Sequence, residues 1–163
     1  MQAFLLVIGL ILAGILPLPL SAQTLQQVKI QTVLDELSQS DDTTRVLNLW
    51  ATWCGPCVKE LPHFEEVFQE TKGQKVKFIL LAVEDSPKTV SAFLSKKGLQ
   101  APVWFLDEAH ADQWIPRLDP DWGGEIPITI IINQARGQRH FHSGEMTKEA
   151  LQQAIHHVSS QNK

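Results

Sequence analysis

Between Arg45 and Trp50 the chain reads RVLNLW, a short apolar run broken only by Asn48, which predicts a buried strand. The period then changes. Cys57, Leu61, Phe64 and Phe68 recur at intervals of four, three and four, one stripe of a helix expected to reach about Lys72. Pro62 falls inside that stripe and should kink the helix. Lys75–Val83, KVKFILLAV, has an unbroken apolar centre, as a strand buried on both faces would. Upstream, Val28–Ile30 fits a short strand. The segment QTVLDELSQ spaces Val33, Leu34 and Leu37 on one helical face, with Thr32 as the expected cap.

Downstream, Ser86 as cap, Pro87 at the first helical position and Gly98 as a stop bracket another helix. PVWFL reads as a short strand and EAHADQWIPRL as a helix. Ile126–Ile132, IPITIII, reads as a buried strand, followed by the turn NQARG and a partly exposed strand, QRHFHSG. TKEALQQAIHHV closes the chain as a helix with Ala150, Leu151, Ala154, Ile155 and Val158 inward. Strands and helices therefore alternate until a final strand pair. That order implies an α/β architecture, a central mixed sheet with helices on both faces.

Residues 1–22 stand apart from this pattern. They carry no charged side chain and are almost wholly apolar from Phe4 to Leu16. They read as a secretory signal ending near Ala22, although no Lys or Arg precedes the apolar core. Pro17 and Pro19 favour cleavage; an uncleaved N-terminal membrane anchor is the alternative, since the segment approaches the roughly 17 residues needed to span. Either reading places residues 23–163, one globular domain, outside the cytoplasm, with the periplasm as the expected compartment. The net charge of −4 lies entirely in that domain, and a mildly acidic surface without a basic stripe argues against nucleic acid as partner.

The two cysteines of the chain, Cys54 and Cys57, follow the first buried strand directly. A structural disulfide of this spacing would close a very short loop and constrain the unfolded chain little. Structural zinc wants four ligands, and no second cysteine pair exists. His140, His142, His156 and His157 read as solvated surface residues, so no metal is expected. Covalent haem attachment would need a histidine after Cys57, where Val58 stands. A redox couple fits the geometry better. A strand, a short loop and a helix place Cys54 at a helix N-terminus, where unpaired amides and the helix dipole stabilise a thiolate. Cys57, one turn on, can resolve a mixed disulfide from the buried face. Pro56 is tolerated in the first turn, and Gly55 lets another backbone approach closely.

The string VLNLWATWCGPCVKELPHF resembles the thioredoxin superfamily, and within it the TlpA/ResA-like extracytoplasmic thiol–disulfide oxidoreductases. The residues that carry the likeness are Asn48, Trp50, Trp53, Cys54, Cys57, Lys59, Glu60 and Pro62, with Leu49 in place of the usual phenylalanine. The resemblance, over roughly residues 42–160, implies a thioredoxin fold with a strand–helix insertion between the active-site helix and the cis-proline strand. It implies that Pro127 is the cis-proline and that Ile126 presents its backbone to substrate. Trp53, Gly55 and Pro56 are the further residues expected at the substrate surface; Trp122 reads either as a substrate-contacting aromatic or as a partly packed loop residue. Thioredoxins of the cytoplasm carry a buried aspartate where this chain has Asn48. By family position Glu60, three residues after Cys57, takes the proton-handling role instead.

The function so implied is reduction of disulfides in exported proteins, for example during cytochrome c or oxidase copper-site assembly. A membrane thiol carrier would supply the electrons. No cofactor is implied, and a monomer is expected. The alternatives are an oxidase that donates its disulfide to folding secreted proteins and a redox-inert module that holds extended peptide. The Pro-x-x-x-Thr/Ser-x-x-Cys setting of a peroxide-reducing cysteine is absent before Cys54. His63, Glu84 and Asp85 receive no role from the sequence.

Overall fold

A computed structural model describes residues 25–160. The signal or anchor expected over residues 1–22 lies outside the described residues. Six strands form one sheet in the order β1-β4-β3-β2-β5-β6. These are β1 (Gln26–Val28), β2 (Thr44–Trp50), β3 (Val76–Ala82), β4 (Val103–Leu106), β5 (Ile128–Asn133) and β6 (Gln138–Ser143). The first four run parallel to one another, whereas β5 is antiparallel to both β2 and β6. The sheet is mixed, and the fold is that of thioredoxin.

β2 is buried along its whole length, and its alternation divides the core. Val46 and Trp50 point into one cluster with Cys57, Leu61, Phe64, Leu94, Leu151 and Val158. That face is covered by α2 (Gly55–Glu70), α3 (Pro87–Lys97) and α5 (Lys148–Ser160). Leu47 and Leu49 point the other way, against Val33, Leu37, Trp114 and Leu118 of α1 (Ile30–Leu37) and α4 (Ala111–Leu118). Two strand–helix units, β3 with α3 and β4 with α4, lie between the cysteine helix and β5.

Three local expectations are corrected. Ile30 belongs to α1 rather than to the first strand, and Lys29 rather than Thr32 is the N-cap, without a side-chain bond. Glu108 does the capping from a distance, accepting the Ile30 N–H at 3.0 Å. Pro62 lies inside α2, which continues past it as one element to Glu70. α4 starts only at Ala111, since His110 sits at φ 45° and breaks the helical path.

Candidate active site

The chain turns as soon as β2 ends. The Cys54 N–H donates to the Ala51 carbonyl at 3.2 Å, and the Thr52 N–H donates to the Glu84 carboxylate at the end of β3. Cys54 is the N-cap of α2 in an extended conformation, and Pro56 occupies its first turn. Cys54 and Cys57 are joined by a disulfide, with Cα atoms 5.3 Å apart. The Cys57 N–H lies 3.3 Å from Cys54 Sγ. In the dithiol that amide and the helix dipole favour a Cys54 thiolate.

Access to the two sulfurs differs. Cys57 is fully buried, whereas Cys54 keeps 6% of its surface exposed. Its neighbours Trp53, Gly55 and Pro56 are exposed, and Trp53, at 69%, is the sole large hydrophobic side chain left open among the described residues. Of the two sulfurs, only that of Cys54 is open to approach from outside, and Cys57 lies behind it.

Facing the pair, the Ile126–Pro127 peptide bond is cis, and the Ile126 carbonyl lies 3.8 Å from Cys54 Sγ. With the disulfide closed the sulfur has no proton, so this is a contact; a Cys54 thiol can donate across it. Gly124 holds φ +97° in the loop before this bond, where a Cβ would come within 2.8 Å of Ile115 Cδ1. That position needs glycine.

Glu60 is fully buried beneath the pair, one helical turn from Cys57. Its Oε1 accepts from Asn48 Nδ2 at 2.8 Å and its Oε2 from the Met146 N–H at 2.8 Å. Burial pushes its carboxyl up to about 7, although the Met146 and Asn48 donors pull the other way. A group poised there can take or give a proton near neutrality.

Of the two readings of Trp122, the structure has the packed loop residue. It is only 4% exposed, its indole N–H donates to the Glu125 carbonyl at 2.8 Å, and its ring packs 5.7 Å from that of Trp114. Trp122 supports the loop from below and leaves the substrate side to Trp53. Conversely, Glu84 and His63 acquire partners that no local signal announced. Glu84 ties down the turn before Cys54, and His63 Nδ1 lies 3.2 Å from the Met146 carbonyl. Among the described residues no group of three or more His, Cys, Asp or Glu side chains is placed to hold a metal. His140 and His142 stack, ring centroids 6.5 Å apart.

A cysteine pair at a helix N-terminus, opposite a cis-proline and above a buried carboxylate on this sheet, defines a thioredoxin-fold dithiol–disulfide protein. A family model described as Redoxin matches residues 20–114, more than half of the chain, and the chain belongs to that family, on its ResA/TlpA-like side. Thiol-disulfide oxidoreductase ResA of Halalkalibacterium halodurans is 30% identical over 118 residues, covering 72% of this chain and 64% of that protein. The ResA of Bacillus thuringiensis is 31% identical over 107 residues, covering 65% of this chain and 58% of its own length. The chain thus spans less than two thirds of these relatives. Among solved structures, a thioredoxin-related protein from Neisseria meningitidis serogroup B superposes with TM-score 0.65 at 28% identity, over 72% of this chain and 86% of that one.

Proposed function

We propose that this chain is an extracytoplasmic thiol–disulfide oxidoreductase that reduces disulfides in exported proteins. In this reading residues 1–22 direct export and residues 23–163 form the working domain. The observation that carries it is the meeting of Cys54, edge-exposed at the α2 N-terminus, with the Ile126 carbonyl at 3.8 Å. A substrate strand paired to Ile126 brings its own disulfide to that sulfur. The names of the ResA relatives point to the same chemistry.

The Cys54 thiolate attacks one substrate sulfur, the substrate disulfide breaks, and the leaving thiolate takes a proton from solvent. Cys57 passes its proton to Glu60 and attacks Cys54 Sγ. The mixed disulfide breaks, the second substrate sulfur leaves as a thiolate and takes a proton from solvent, and the Cys54–Cys57 disulfide remains. Two electrons have moved from the dithiol to the substrate. A membrane thiol carrier then restores the dithiol. Candidate substrates are the haem-site cysteines of cytochrome c or the copper-site thiols of oxidase assembly. The Gly55-Pro56 pair between the cysteines, as in thioredoxin, favours the reducing direction. Among the described residues no helix is long and apolar enough to cross a membrane.

Replacing Cys57 with Ser tests the exchange. The variant should accumulate mixed disulfides through Cys54 that reducing agent releases. A redox-inert peptide-binding module would accumulate none.

A further inference from the structure

α2 turns Lys59, Glu60 and His63 towards the connection between β6 and α5, and all three engage two consecutive residues there. Lys59 Nζ pairs with the Glu145 carboxylate at 2.7 Å. Glu60 Oε2 accepts the Met146 N–H, and His63 Nδ1 faces the Met146 carbonyl. A carbonyl only accepts, so the His63 proton sits on Nδ1 in this bond. From β6, His142 Nε2 lies 3.3 Å from the Glu145 carbonyl and donates for the same reason. The Gly144 N–H donates to the Pro127 carbonyl at 2.9 Å. Residues 144–146 therefore form a strap, tied at one end to the cis-proline and at the other to Glu60.

Glu60 depends on this strap because it is sealed from water. Each donor it holds stabilises the charged carboxylate, and the loss of one favours the protonated form. The titratable and charged groups around it are Cys57, Lys59 and His63 on α2 and Glu145 on the strap, with His142 of β6 behind. From β2 and β5 it meets only neutral Asn48 and, beyond it, Thr129. Negative charge on Glu145 opposes ionisation of Glu60, and positive charge on His63 favours it. Lys59 neutralises Glu145.

We propose that His63 and Lys59 are positioning residues: acting through the strap, they hold the Met146 amide and the Glu145 charge around Glu60 and so set the pH at which Glu60 takes the proton of Cys57. This rests on the reading of Cys54 and Cys57 as an exchange couple served by Glu60. Neither residue touches the reacting sulfurs. His63 fixes a donor and Lys59 masks a charge.

The test is the titration of Glu60 itself, followed by the carboxyl carbon resonance in the full-length, disulfide-closed protein and assigned by its loss in Glu60→Gln. His63→Ala should raise the midpoint by about one pH unit, tenfold in proton affinity. His63→Asn, whose side-chain amide can still donate to the Met146 carbonyl but carries no charge, should raise the midpoint by less than His63→Ala does. Lys59→Ala, on the exposed face of the helix, should raise it by a smaller amount and carries the test if His63→Ala does not fold. An unmoved midpoint in both alanine variants overturns the proposal. So does an equal rise in His63→Ala and His63→Asn, which would make the ring or its charge rather than the donor responsible. Failure of the exchange reading shows separately, as an absence of mixed disulfides in Cys57→Ser while the Glu60 midpoints still move.

Discussion

Asn48 Nδ2 stands 2.8 Å from Glu60 Oε1 and joins the central strand to the helix that carries both cysteines. The same nitrogen lies 3.2 Å from Thr129 Oγ1 and 3.3 Å from the Ile128 carbonyl, so its two hydrogens serve three acceptors on β5 and α2. Asn48 Oδ1, by contrast, is buried without a partner. The side chain is spent on donation. A neutral amide in this place offers Glu60 a donor without adding a second negative charge to the pocket, as an aspartate would.

The burial of Glu60 makes stability depend on pH in a definite direction. Its folded-state value, raised from 4.5 to about 7, means that the native protein holds a proton there that the unfolded chain releases. The contribution is complete below the unfolded value and is lost as pH rises through about 7. Above that, the protein should be less stable by on the order of 3 kcal/mol from this group alone. Denaturant unfolding between pH 4.5 and 8, with the disulfide intact, should show this fall in wild type and not in Glu60→Gln.

Trp53→Ala should separate substrate capture from fold. The ring is exposed beside Cys54 and packs into neither core cluster. Removal of an aromatic contact at an interface costs about 1–2 kcal/mol of binding, so kcat/KM towards a protein disulfide should fall about tenfold. Thermal midpoint and reduction potential should stay unchanged. A matching loss of stability would mean that the indole is structural.

At the end of the sheet far from the cysteines, Arg45 is 2% exposed and its Nε donates to Glu36 Oε1 at 2.8 Å. Burial alone would raise the Glu36 carboxyl, but Lys77 and Arg45 together hold it below its ordinary value. Glu36→Ala leaves the guanidinium buried with only Asp41 and Gln39 as side-chain partners. Destabilisation by about 3 kcal/mol is expected, measured by chemical unfolding, with exchange activity retained at temperatures well below the new midpoint.

What was legible in the sequence was local. The strand-to-helix change at Trp50–Gly55, the Ser86–Pro87 helix start and the Gly98 stop are all written within a few neighbouring residues, and all appear in the structure. Glu60 was legible only through family position, because its burial depends on Met146, which lies 86 residues away. His63 and Glu84 look like ordinary surface residues for the same reason; their partners come from distant elements. Trp122 stays open between contact and packing in the sequence, because a tryptophan between a polar loop and the Ile126–Pro127 step carries no local signal for either. Its burial is decided by α4, where Trp114 meets it, and nothing near Trp122 encodes that contact. Arg45 opens an apolar strand, yet its carboxylate partners come from α1 and the following turn, and Lys77 of β3 pairs with the same Glu36.

The reduction potential of the Cys54–Cys57 couple decides whether this protein reduces or donates disulfides. The protein would be equilibrated in thiol–disulfide buffers of known poise and its dithiol fraction read after acid quench. If the chain reduces disulfides in exported proteins, the value should lie near that of thioredoxin, about −270 mV. A value near about −120 mV, that of a strong disulfide donor, would contradict the reducing assignment and make the chain an oxidase.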